Sequence, residues 1–244
     1  MKHDSRSARD AILGRLRTSL GGSGQLFRGS EARRDMPAVP SPVTEGGGDS
    51  SALAHMFGAK LERLNGGYDV VERPEQVAAR VVALIRGWDA EARDVLSWAP
   101  DQIPVPQLEQ RLGAAGLQLL VPHDLYDPES RDRAAAQSVG LTSVDAAFAS
   151  TGSVVLAPGP GKCRAAALLP LHHLAIIPLS RLFATFEAWL ESLRTGGKLG
   201  TLLQESGQIA FITGPSKSAD IELTLTLGVH GPKVVHAILY NDDR

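Results

Sequence analysis

Between residues 51 and 121 the chain alternates helix-like and strand-like segments, and the connections between them are short. That rhythm constrains the fold more than any other feature. Ser51 to Leu64 reads as a helix closed by Asn65-Gly66-Gly67, and Tyr68 to Val71 as a short strand. Pro74 opens a helix with Val77, Val81, Val82 and Ile85 on one face, ending at Gly87. Asp94 to Trp98 is a strand, Pro106 to Ala115 a helix stopped by Gly116, and Leu117 to Val121 another strand. Strands alternating with helices across short links bury both faces of a sheet, so the fold class is α/β with a mostly parallel sheet and flanking helices.

The second half adds a β-hairpin. Val139 to Thr142 and Ser153 to Ala157 read as strands, and Pro158-Gly159-Pro160-Gly161 turns the chain into Arg164 to Leu169. Leu174 to Ile177 is a further strand, and Ser180 caps a helix running to about Arg194. Gln208 to Thr213 is a strand, Gly214 to Ser218 a tight loop, and Val234 to Tyr240 the last strand. Ile221 to Leu227 alternates as IELTLTL, which by period alone is a strand. A crossover between two parallel strands needs a helix there, however, and Gly228 supplies a stop, so a helix is expected.

Upstream the pattern is absent. Residues 1–20 place Ala8, Ile12, Leu16 and Leu20 at four-residue spacing, with five Lys/Arg, which predicts a short amphipathic helix. Its readings are a docking helix, a mitochondrial transit peptide, against which Asp4 and Asp10 argue, and a solvated terminal helix. Residues 21–50 hold seven Gly, three Pro and four Ser, too few apolar side chains to offset chain entropy, and read as a flexible linker. The α/β domain is therefore assigned to 51–244. Basic and acidic residues nearly cancel, 25 against 27, so no overall basic field points to nucleic acid. No stretch approaches the roughly 20 apolar residues of a membrane span, and Met1 to Asp10 is mostly polar, so a cytoplasmic location is expected.

Several motifs fail on inspection. Gly159-Pro160-Gly161-Lys162-Cys163 mimics the end of a phosphate-binding loop, but Leu156 stands at its first glycine and Cys163 at its hydroxyl. There is no G-x-S-x-G nucleophile elbow. His172 and His173 are adjacent, so on a strand they point to opposite faces and cannot chelate one ion; no metal is expected. Cys163 is the single cysteine, which rules out an internal disulfide and a cysteine-ligated cluster within this chain. Lys162 and Arg164 flank it and favour a thiolate, yet no base can be assigned to it.

The segment from Ile212 to Pro232 concentrates backbone-shaping residues. Gly214 permits a sharp turn and close approach, and the amides of Ser216, Lys217 and Ser218 stand at an expected helix start, where free N–H groups and the helix dipole favour an anion. Lys217 adds a full charge. A carboxylate or phosphate pocket is one reading; Ser216 or Ser218 capping the helix, with Asp220 serving its dipole, is the other. Glu222 either points into a pocket or is solvated, and His230 is either an acid/base group or a cap for the helix carbonyls. Thr151-Gly152-Ser153 presents donors at a strand entry or is ordinary turn chemistry. Arg164 is a candidate carboxylate fork or a surface residue.

GPSKSADIE followed by LGVHGP resembles the signature of the LUD domain, and specifically the lactate utilization protein C family. VGLTSVDAAFASTGSVVL, from Val139 to Leu156, and the stretch from Arg164 through Leu168-Leu169-Pro170 to His173 support the likeness, which covers about residues 51–244. The resemblance implies a fold similar to the ribose-5-phosphate isomerase, glucosamine-phosphate deaminase and CoA-transferase group. It also implies a part in oxidising L-lactate to pyruvate beside two iron–sulfur partners, this chain being the cluster-free member with no cofactor of its own. The family positions carried over are Thr151-Gly152, Arg164, Pro170, Gly214-Pro215-Ser216-Lys217, Asp220-Ile221-Glu222 and His230-Gly231-Pro232. Ser218 stands where the family often has Thr, and Ser150 where an acidic residue is common, which weakens any catalytic carboxylate at that turn. Two further functions remain open: a stand-alone enzyme on a phosphorylated sugar or acyl-CoA, and an assembly protein that docks iron–sulfur partners.

Overall fold

The computed structural model describes residues 5–21, 49–219, 225–228 and 230–242. The linker expected over 21–50 lies almost wholly outside them. The chain divides into two units, residues 1–40 and 41–244. The first contains α1 (Ser5–Gly21), on which Ile12 and Leu16 are exposed.

In the second unit, local signals and packing agree for the first half. Asp49 caps α2 (Ser50–Arg63) by accepting from the Ser51 amide, and the helix buries Ala54, Phe57 and Leu61. After β1 (Gly67–Val71), Pro74 begins α3 (Pro74–Trp88), and Gln76 reaches back to accept from the Arg73 amide at 3.0 Å. Its period-3.6 stripe of Val77, Val81 and Ile85 is buried. β2 (Asp94–Ser97), α4 (Leu108–Ala114) and β3 (Gln118–Leu120) follow in the expected order. A polar helix, α5 (Pro128–Ala135), then leads to β4 (Val139–Ser143), every residue of which is buried.

Beyond β4 the chain leaves the main sheet. β5 (Ala146–Phe148) and β6 (Ser153–Leu156) form an antiparallel hairpin. The expected hairpin, turning at Pro158–Gly161 into Arg164–Leu169, has no second arm. Ala165–Leu168 is instead a short helix, α6, which buries Ala166 and Ala167 against β4 and leaves Leu168 exposed. β7 (His172–Pro178) returns to the main sheet, and β8 (Leu182–Phe183), α7 (Phe186–Thr195) and α8 (Leu199–Glu205) follow. Thr185, not Ser180, caps α7. β9 (Ala210–Ile212) precedes a small hairpin of β10 (Lys217–Ala219) and β11 (Leu225–Leu227), and β12 (Val234–Tyr240) ends the domain.

Six strands build an all-parallel sheet in the order β1-β12-β7-β4-β2-β3, and a second sheet runs β8-β5-β6-β9. α3 covers one face of the parallel sheet: Trp88 stacks on His172, with ring centroids 5.0 Å apart, and meets His236 edge-on. α2 and α6 cover the other, where Tyr68 lies against Gly58 and Gly140 against the Ala166 carbonyl. The fold is thus α/β, with a mostly parallel sheet, flanking helices and added hairpins.

The helix expected over Ile221–Leu227 is corrected by this topology. Leu225–Leu227 is strand, paired antiparallel with Lys217–Ala219, and Ile221 to Thr224 lie outside the described residues. No crossover is needed there, because β9 pairs with β6 in the second sheet and not with a strand of the parallel one. For Leu225–Leu227 the period-two alternation was the better guide.

Candidate functional site

The two sequence candidates, the Thr151 turn and the Gly214 segment, come together at the amino end of the parallel sheet. Thr151 Oγ1 donates to Ser153 Oγ at 2.8 Å, and Ser153 Oγ lies 2.7 Å from Thr213 Oγ1, so three hydroxyls link the turns. Gly152 has φ +69°, and a Cβ on it would stand 2.7 Å from the Leu61 amide nitrogen, so the turn closes directly on the α2 backbone. Gly214 is buried against Leu64 at the end of the same helix. The site is well built but largely closed on itself.

The amide cradle expected over Ser216–Ser218 is not what these residues form. Ser216 N–H donates to the Pro232 carbonyl at 2.9 Å, and its carbonyl accepts from Gly228 N–H at 2.9 Å. Lys217 and Ser218 enter the β10–β11 ladder opposite Leu227 and Thr226. Ser216–Ser218 do not start a helix, hence no helix dipole acts there, and the Ser216 amide is already taken. Nor does the segment follow a parallel strand, since β9 is antiparallel to β6. Lys217 and His230 are exposed, and with Leu225–Leu227 in a strand His230 has no helix there to cap. Asp220 and Glu222 lie outside the described residues. Arg164 is exposed beside α6, three residues from Gly161, whose carbonyl is bonded past the carboxyl end of β2; it is at the opposite end of the sheet.

That opposite end holds charge. The chain leaving β2 turns right, through α4 to β3, and the chain leaving β4 leads away toward β7 on the left. Between them lies the crevice where open α/β sheets receive ligands. Trp98 follows β2, and Asp145 follows β4. Lys162 is swung over both by the Pro158–Lys162 turn, which is pinned by Ala99 N–H donating to the Gly161 carbonyl at 2.7 Å. Gly161 has φ +72°, and any Cβ there would press on Ala99. Lys162 Nζ stands 2.5 Å from Asp145 Oδ1 and 5.3 Å from the centroid of the Trp98 ring, while Asp145 Oδ2 accepts from the Ala157 amide at 2.7 Å. Asp145 and Lys162 line a cavity of about 620 Å³ together with Gln102, Pro160, Glu205 and Ser206. A second cavity of about 470 Å³, holding His123 and Cys163, lies across the same turn.

A model of the LUD domain matches residues 55–240 of this chain. The chain belongs to the LUD domain family. It is similar to proteins named lactate utilization protein C. It shares 42% identity over 120 residues with that of Exiguobacterium sp., covering 49% of this chain and 51% of the relative. With that of Halalkalibacterium halodurans it shares 34% over 166 residues, covering 66% of each. With that of Bacillus subtilis it shares 27% over 197 residues, covering 80% of this chain and 71% of the relative. The matched stretches span about half of the first of these relatives and about two thirds of the second. In fold it is similar to the crystal structure of a duf162 family protein from Deinococcus radiodurans at 1.70 Å resolution, with a TM-score of 0.56 at 17% identity over 79% of this chain and 99% of that one.

Two clusters of this LUD domain escaped the reading of its sequence. Asp145 and Lys162 are 17 positions apart; Lys162 stands out in the sequence only within the rejected phosphate-loop mimic and as a neighbour of Cys163, and neither pattern points to Asp145. On the α3 face, His236 Nε2 lies 2.7 Å from Asp69 Oδ2, and Arg80 Nε donates to that same oxygen at 2.6 Å. Burial lowers the His236 pKa against the opposing pull of Asp69. Burial alone would raise the Asp69 carboxyl, but the Arg80 and His236 hydrogen bonds outweigh it and hold it low. His172 and His173 do face opposite ways: His173 is wholly buried with Nε2 2.9 Å from Thr142 Oγ1, and burial lowers its pKa to about 4. No group of three or more metal-ligating side chains occurs among the described residues.

Proposed function

We propose that this LUD domain serves L-lactate utilisation, as a cluster-free component of a system that oxidises lactate to pyruvate. Its membership of the family, together with its similarity to proteins named lactate utilization protein C, carries this reading. Oxidising lactate removes two electrons, and a chain whose single cysteine is Cys163 supplies no cysteine set to hold an iron–sulfur cluster. Iron–sulfur proteins acting beside it take that role. The anion pocket expected at residues 214–218 is not carried into this proposal, because the Ser216 amide is already bonded and the helix start is absent.

Deleting the coding sequence from its host, then restoring it, tests the role. Growth on L-lactate should fail on deletion and return with the intact chain, while growth on pyruvate continues throughout. Affinity purification from lactate-grown cells should recover iron and acid-labile sulfide with the chain. Normal growth on lactate after deletion overturns the reading. Turnover of a sugar phosphate or an acyl-CoA by the purified chain alone would put an independent enzyme in its place.

A further inference from the structure

We propose that the crevice outside the carboxyl ends of β2 and β4 binds a 2-hydroxy carboxylate, with Lys162 and Asp145 as its recognition pair. The inference rests on the lactate reading and deepens it by assigning the ligand a place. Three independent features converge there: the divergence of loops from neighbouring parallel strands, a cavity of about 620 Å³, and a charged pair lining it.

The pair's unused valences specify the ligand. A lysine ammonium carries three donors, and Asp145 takes one of Lys162's at 2.5 Å. The Trp98 ring holds the ammonium from one side, at 5.3 Å, which leaves donors for the cavity. Asp145 accepts once from Lys162 and once from the Ala157 amide, and a carboxylate has lone pairs for further donors. The side chains are 22% and 17% exposed, enough to be reached and too little to be freely solvated.

A donor and an acceptor therefore stand side by side. A 2-hydroxy carboxylate carries the reverse arrangement on adjacent carbons: its carboxylate accepts from Lys162 and its hydroxyl donates to Asp145. A carboxylate without that hydroxyl keeps the Lys162 bond but brings a negative charge to Asp145 and to Glu205, which also lines the cavity, with no donor to Asp145 to offset the repulsion. The site so distinguishes L-lactate from both pyruvate and propionate. Binding alone is proposed; no bond is made or broken.

Calorimetric titration of the full chain with L-lactate, pyruvate and propionate tests this, alongside NMR of the chain labelled at alanine and leucine methyl groups. Saturable lactate binding is expected, about tenfold or more tighter than that of the other two acids. Lactate should shift the methyl signals of Ala157 and Leu202, which line the cavity, and Lys162→Gln should weaken binding about tenfold or more. Absence of saturable lactate binding, equal affinity for propionate, or shifts confined to other methyl groups overturns the assignment. Should Lys162→Gln fail to fold, the acid series and the methyl shifts of the unaltered chain decide alone. A chain still required for growth on lactate that binds no lactate here removes this site and leaves the functional role standing.

Discussion

The two ends of the parallel sheet use their residues in opposite ways. At the amino end, the glycines and hydroxyls that stand out in the sequence bond to each other: Thr151 to Ser153 to Thr213, and Ser216 to Pro232 and Gly228. At the carboxyl end, ordinary-looking residues from three separate segments leave valences open around a cavity. A segment rich in backbone-shaping residues can be rich because its own fold is demanding. Open hydrogen-bonding capacity in a crevice is the better mark of a ligand.

If the amino end is a structural clasp, damage there should be costly to stability. Gly152→Ala is the severest test, since it sets a Cβ at 2.7 Å from backbone nitrogen in a left-handed conformation; a loss of about 3 to 4 kcal/mol is expected by urea denaturation. A loss under about 1 kcal/mol would mean that the turn and α2 separate easily, and the clasp would be no clasp.

His173, in the second position of β7, probes the same half of the sheet through pH. Its folded pKa, lowered by burial to about 4, lies below the ordinary 6.5, so the unfolded chain binds the proton more readily. The sign follows: stability from this group is complete above pH 6.5, falls as pH drops, and is lost by pH 4, about 3 kcal/mol in all. His173→Leu should remove that portion of the acid sensitivity, visible as a shallower change in urea midpoint between pH 7 and 4. An unchanged slope would show that the imidazolium finds solvent or a partner without unfolding.

At the carboxyl end the cost should be smaller, because the pair retains some solvent. Asp145→Ala leaves the Lys162 ammonium and the Ala157 amide without their shared partner, and roughly 2 kcal/mol should be lost. Restoring neutrality with Asp145→Ala plus Lys162→Met should recover much of it; failure to recover would show that the pair is not the main term.

Legibility divides along the same line. Elements announced by neighbouring residues were readable: Pro74 and its apolar stripe gave α3, and VVHAILY gave β12 to the residue. The errors arose where a tertiary argument overrode a local one, or where no local one existed. A presumed crossover turned LTLTL into a helix, although its period of two was already that of a strand. Arg164–Leu169 read as a hairpin arm because six residues carry too little periodicity to tell helix from strand. α5, with its polar ESRDR, offers almost no buried stripe to detect. The Asp145–Lys162 pair could not be read at all, because it exists only once β4 and the Pro158–Lys162 turn meet in space.

Lys217 supplies the last and smallest effect, and it separates the ends most cleanly. It was the residue the sequence favoured most, the single full charge in an apparent cradle of amides. With that cradle replaced by a β-ladder, Lys217 is an exposed side chain on a short hairpin. Lys217→Ala should therefore alter stability by no more than about 0.5 kcal/mol, and L-lactate affinity by less than about twofold. Lys162→Gln, a change of like charge at the other end, should reduce that affinity about tenfold or more. The two substitutions measured by one calorimetric titration set an exposed charge on a short hairpin against a half-buried charge with donors to spare. If Lys217→Ala proved the more damaging, the ligand would be at the amino end despite its closed amides, held by side chains alone.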